Sequence, residues 1–150
     1  AKLGVPLIIS HMFTFYFGIM ADLTPPVALA ALAASSIAKA SHDAIGWKAT
    51  QIAIIGFVVP YMAVYEPSLM LQGDWTILSV MVAVSKTLLA VMLWASAITG
   101  YWKVALTWSE RLGAVTAACL IVAHFPWSDE IGAVLAVLLA LRHWRRAAKA

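Results

Sequence analysis

The sequence predicts an all-α, polytopic membrane protein of about five helical spans, one of them broken by two consecutive prolines. Three observations predict it. Hydrophobic residues fill 63% of 150 positions and charged residues only 11%, and the mean hydropathy is +0.91. A soluble domain of this size leaves much of its surface in water and cannot hide so much apolar area. Apolar stretches approaching the ~20 residues needed to cross a bilayer recur along the chain. Finally, the connections between them alternate in charge, as the positive-inside rule requires.

The broken span covers residues 10–38. Residues 1–9 contain Gly4 and Pro6 and read as a leading loop, with Ser10 as the N-cap of the first half-helix. Helix-forming apolar sequence flanks the stretch Gly18-Ile-Met-Ala-Asp22-Leu-Thr24-Pro25-Pro26. Proline lacks an amide donor, clashes with the carbonyl one turn back, and pushes the preceding residue out of the α region. Helix should stop near Leu23 or Thr24 and restart at Pro25 or Pro26, where a first-turn proline is tolerated. Hydrocarbon cannot satisfy the peptide groups freed there, so the break must be buried in protein or face a polar cavity.

Residues 39–48 read as a polar connection anchored by Trp47, and residues 49–65 as a span with a kink at Pro60. Residues 66–75 carry turn punctuation, and 76–101 form a long span. Residues 102–111 connect, 112–125 are apolar, 126–130 turn the chain, and 131–141 form a short span. The arginines at 142, 145 and 146 can extend that last span by snorkelling. Three regions result: 1–38, a broken helix of a transport core; 39–101, two further spans; and 102–150, a C-terminal extension with a basic tail. Lacking an initiator Met and a signal-peptide layout, the chain reads as a C-terminal piece of a longer protein.

Loops with Lys39 and Lys48, with Lys103 and Arg111, and the tail with Arg142, Arg145, Arg146 and Lys149 are expected on the cytoplasmic side. Those with Glu66 and Asp74, and with Asp129 and Glu130, are expected outside. A basic tail next to a span orients that span; nucleic-acid binding is the weaker account of the +3 net charge. Lone Cys119 permits neither a disulfide framework nor a cysteine-built metal site.

His11, Phe15, Gly18 and Asp22 fall on one helical stripe. A carboxylate three turns into a span is a functional candidate by default. Oxygen ligands suit a hard cation, so Asp22, the Thr24 hydroxyl and carbonyls freed beside Pro25 make a candidate Na⁺ site, or Asp22 carries a proton. The alternative is that Asp22 only caps the second half-helix. Lys86 shares a stripe with Ser79, Ala83, Ala90 and Ala97, whose small side chains favour close helix packing. It is expected to point into protein, as a structural ion pair or in transport. His124, beside Pro126 and Trp127, reads as interfacial, and the tryptophans at 47, 75, 102, 127 and 144 as belt anchors. Ser10 and His11 are adjacent and cannot face each other as a hydrolytic pair. No catalytic residues and no organic cofactor are expected.

The run His11-Met-Phe-Thr-Phe-Tyr-Phe-Gly-Ile-Met-Ala-Asp-Leu-Thr-Pro-Pro-Val-Ala-Leu-Ala resembles the last broken transmembrane helix of the tripartite ATP-independent periplasmic (TRAP) transporters. The likeness is to the branch whose small and large membrane subunits are fused. Phe57-Val-Val-Pro-Tyr-Met-Ala-Val-Tyr-Glu-Pro-Ser-Leu-Met-Leu-Gln-Gly is similar to the next span and loop of that branch, and Trp108-Ser-Glu-Arg-Leu onward to its C-terminal extension. The resemblance implies a secondary transporter in the bacterial inner membrane. It implies Na⁺-driven import of small organic acids delivered by a periplasmic binding protein, with the rest of the permease upstream. Thr24, Pro25 and backbone from Gly18 to Asp22 would help form a Na⁺ site. Many relatives have Gly in place of Ala28, and Gly or an apolar residue in place of Asp22. A non-transporting anchor for a larger protein is the competing reading. A cation channel is disfavoured, because one break cannot form a symmetric filter alone.

Overall fold

The computed structural model describes residues 5–123 and 125–148. Among these the chain is helical, with a single two-residue bridge between Tyr101 and Ala105 outside the helices. It divides into two compact units, Ala1–Thr76 and Ile77–Ala150.

In the first unit α1 spans Leu7–Ala21. Its start is set by Pro6, whose carbonyl accepts the amides of Ile9 and Ser10 at 3.1 and 3.2 Å. Ser10 therefore lies inside the helix and is not its cap; its hydroxyl donates back to Pro6 at 3.4 Å. Phe13 and Phe17 pack against the later helix α4, Val58–Tyr65. Phe13 meets Tyr61 edge-on at 5.4 Å between ring centroids, and Phe17 meets Phe57 just before α4 at 4.9 Å.

The second half-helix, α2 (Leu29–Ala38), ends at Lys39 in the left-handed region. Helix α3 (His42–Ala53) begins at once, with the Ser41 hydroxyl accepting the Ala44 amide at 3.3 Å and Asp43 in the first turn. The expected polar connection over 39–48 is thereby shortened to 39–41, because Ser41 supplies a cap that lets the helix begin early. A tight 3-10 segment, Ile54–Phe57, joins α3 to α4. The expected kink takes this form: Pro60 cannot donate to the carbonyl one turn back and crowds it, so the turn before it tightens. His42–Tyr65 is a helical run of 24 residues, long and apolar enough to cross a membrane.

The second unit is built on α5, Ile77–Thr99, the other run of membrane length among the described residues. Gly100 ends it at φ +68°, and the Arg111 guanidinium occupies the space a side chain there would need. Helix α6 spans Trp108–Val122, starting earlier than the expected 112. The reason is a reciprocal capping box: the Thr107 hydroxyl accepts the Glu110 amide, and the Glu110 carboxylate accepts the Thr107 amide. Helix α7 spans Ser128–Ala147, longer than the expected 131–141. Asp129 and Glu130 in its first turn, with Arg145 and Arg146 in its last, suit the helix dipole and let it extend through charged sequence. α6 and α7 run antiparallel, with Ile121 beside Gly132 at one end and Glu110 beside Arg146 at the other. The seam is made of small side chains: Ala83, Ala90 and Ala97 on α5, Ala114, Ala117 and Ala118 on α6, and Ala136 on α7 are all buried.

Candidate functional site

The proline break is a real interruption of the helix. After Ala21 the chain tightens, with Leu23 and Thr24 both donating to the Met20 carbonyl at 3.1 Å. The Pro25–Pro26 peptide is cis, Ala28 is left-handed at φ 38°, and helix resumes at Leu29. The gap is thus wider than expected at both ends: helix stops at Ala21, short of Leu23, and resumes after both prolines. Ala28 accounts for the late restart, since α2 cannot begin until the left-handed residue is passed.

Two carbonyls freed by the break are recaptured. Thr24 accepts the Ala28 amide at 3.0 Å and Asp22 accepts the Ala30 amide at 3.2 Å. The carbonyls of Leu23, Pro25, Pro26 and Val27 accept no hydrogen bond from the described residues. The Asp22 side chain does not cap α2, whose N-cap position is Ala28 with no side-chain bond. Asp22 is exposed, Thr24 and Pro25 are half-buried, and Gly18 has open space where a Cβ would stand. The stripe His11, Phe15, Gly18 and Asp22 is exposed along its whole length in this unit, opposite the packed Phe13 and Phe17. The break therefore gathers one carboxylate, one hydroxyl and several free peptide oxygens, a donor set suited to a hard cation. Among the described residues there is no cluster of three or more His, Cys, Asp or Glu side chains able to hold a metal.

Sequence reasoning missed what clamps the break. His42 Nε2 donates to the Ala28 carbonyl at 3.1 Å. A turn later, a Cβ on Gly46 would stand 3.2 Å from Pro25 and 3.4 Å from Ala28. His42 and Gly46 are one helical turn apart on α3 and hold both sides of the second proline. Nothing local in the sequence marks them, because they meet the break only through the fold.

In the second unit, Lys86 Nζ pairs with Asp129 Oδ2 at 2.5 Å, each side chain about a quarter exposed. A second polar group was not anticipated. Glu110 is buried on α6 and binds Arg146 of α7, the Thr107 amide at 2.8 Å and the Thr107 hydroxyl at 2.9 Å. Burial alone would raise its carboxyl, but the Thr107 amide, the Arg146 guanidinium and the Thr107 hydroxyl outweigh that and hold it at about 2. The spacing Thr107-x-x-Glu110 was the signal available for it. Trp47, Trp75, Trp102, Trp127 and Trp144 are all exposed. His124 and Lys149 lie outside the described residues.

The family model described as "Tripartite ATP-independent periplasmic transporter, DctM component" matches residues 1–78, the stretch that holds α1 to α4 and the break. No curated protein and no solved structure gives a match. With its helical architecture and two apolar runs of membrane length, this chain is an integral membrane protein and belongs to the DctM component family of the tripartite ATP-independent periplasmic transporters.

Proposed function

We propose that the chain contributes a Na⁺ site to a permease that imports small organic acids handed over by a periplasmic binding protein. The observation that carries this reading is the opened helix between Ala21 and Leu29, lying within the family-matched segment, with four main-chain oxygens left unpaired by the described residues. Na⁺ takes its ligands from the Thr24 hydroxyl and the freed carbonyls around Pro25, with Asp22 and the backbone at Gly18 alongside. Its charge and the order it imposes on the break then favour a carboxylate substrate nearby. The basic tail is cytoplasmic in an inner membrane, and α5 to α7 serve as scaffold. The reading needs no catalytic group and no organic cofactor.

The test is uptake by the complete transporter and its binding protein in proteoliposomes, with and without an imposed Na⁺ gradient. Thr24→Val removes one oxygen ligand and should raise the half-saturating Na⁺ concentration by ~10-fold, the equivalent of ~1.4 kcal/mol. Asp22→Asn separates a charge role from a backbone one. Unchanged Na⁺ dependence in both variants would overturn the site, whereas uptake by the parent that is indifferent to the Na⁺ gradient would overturn the coupling.

A further inference from the structure

The first turn of α6 and the end of α7 enclose a cavity of about 50 Å³ together with α5. Its walls are largely apolar, with Leu89, Leu93, Leu106 and Leu139 among them; the polar members are Glu110, His143 and Ser96, whose hydroxyl donates to the Met92 carbonyl at 2.7 Å. Glu110 and His143 are almost fully enclosed, at 2% and 1% exposure. Each keeps one unsatisfied atom: Oε1 of Glu110 and Nδ1 of His143 have no hydrogen-bond partner among the described residues. The two atoms face each other across 3.9 Å, too far for a direct bond.

The protonation pattern is set by the neighbours. His143 Nε2 lies 3.3 Å from the Lys103 amide and 3.5 Å from the Val104 amide. Amides only donate, so Nε2 accepts and the ring proton sits on Nδ1. Trp102 stacks on the ring at 5.4 Å and fixes its plane. The N–H donor and the carboxylate acceptor are set in the cavity wall with almost no accessible surface, so a ligand reaches them as the two side chains part slightly. A metal ion finds no free imidazole lone pair, and the carboxylate charge is already met by Arg146. An anion is repelled by that carboxylate. A hydroxyl, which accepts through oxygen and donates through its proton, satisfies both atoms at once.

We propose that this cavity binds one neutral hydroxyl compound, a water molecule or the hydroxyl end of a short-chain alcohol, which accepts from His143 Nδ1 and donates to Glu110 Oε1. The ligand ties together the connection before α6, the start of α6 and the end of α7. Short alkyl tails suit the leucine walls, and the exposed lining residues Met92 and Trp102 mark the side open to them. The proposal does not depend on the ion site at the prolines.

The test is solid-state NMR of the complete transporter in lipid nanodiscs with ¹⁵N-labelled histidine, His143 being assigned by signal loss in His143→Gln. The expected result is an Nδ1–H ring with a cross-peak from that proton to the ligand. A cross-peak to water in alcohol-free buffer identifies water. One to the methylene protons of added 1-propanol, in ordinary water with deuterated lipid, identifies an alcohol. An Nε2–H ring, or an Nδ1–H with neither cross-peak, overturns the proposal. Leu93→Phe, or Ala114→Val if that variant does not fold, fills the cavity without touching either polar group and should abolish the cross-peak. Its persistence in a filled, folded variant also overturns the proposal.

Discussion

Lys86 of α5 and Asp129 in the first turn of α7 form an ion pair of 2.5 Å, joining the middle of one helix to the start of another. Removing Lys86 leaves the part-buried Asp129 carboxylate without this cation. Lys86→Met should therefore destabilise by about 1–3 kcal/mol, below the 3–5 typical of fully buried pairs because both side chains are part-exposed. Adding Asp129→Leu should recover most of the loss. Thermal unfolding in detergent of the two single variants and the double checks this, and simple additivity would refute the coupling.

Ala28 sets two effects against each other. A left-handed conformation costs a non-glycine residue ~1–2 kcal/mol, whereas the buried methyl contributes ~0.8 kcal/mol. Ala28→Gly should thus lie within about 1 kcal/mol of the parent, on the stable side. Ala28→Val should cost more than about 2 kcal/mol, since a β-branched residue is an outlier at positive φ and the site is 0% exposed. Thermal shifts of both variants decide it, and a strongly destabilised glycine variant would refute the left-handed assignment.

Gly132 and Gly113 should differ in tolerance. A Cβ on Gly132 meets Ile121 Cγ1 at 2.8 Å and backbone atoms of Ala117 and Ile121 at 3.1 Å, so α6 itself must move. On Gly113 it meets only Leu139 side-chain atoms, the nearest at 3.0 Å, and these can turn aside. Gly132→Ala is expected to cost about 1–3 kcal/mol and Gly113→Ala clearly less. Equal unfolding temperatures would contradict the close approach of α6 and α7.

Glu110 makes the second unit acid-sensitive. Its carboxyl is lowered from 4.5 to about 2 in the folded chain, so folding favours the charged form. That contribution is complete above about 4.5 and disappears as pH falls from there through about 2. At ~1.36 kcal/mol per unit its size is of order 3 kcal/mol. Unfolding temperatures from pH 7 to pH 3 should fall less steeply in Glu110→Gln, which is less stable at neutral pH. Parallel curves would remove Glu110 from the account.

How far the chain could be read in advance depended on whether the cause was local. The break at Pro25 and Pro26 was legible because proline acts on its own turn and the one before. Its width was not, since Ala28 carries no mark of a left-handed conformation. The small-residue stripe of α5 was legible from spacing, and Ala83, Ala90 and Ala97 are buried as it implies. The partner of Lys86 was not, because Asp129 is 43 residues away in sequence. His42 and Gly46 looked like linker for the same reason. Thr107 and Glu110 are different: the capping spacing was present in the sequence, but the hydrophobic run beginning at 112 drew the boundary too late.

Helix α6 has 15 residues, which at ~1.5 Å each makes it ~22 Å long. The hydrocarbon layer is ~30 Å thick, and the Thr107 capping box with the Glu110–Arg146 pair at one end and the extended backbone of Ala123 at the other leave α6 no sequence with which to lengthen. Were α6 to cross a bilayer, the lipid around it would have to thin to meet it, at fractions of a kcal/mol for each ångström. Such a crossing would make the protein a thickness gauge, suited by shorter acyl chains and strained first at the α6–α7 pair by longer ones.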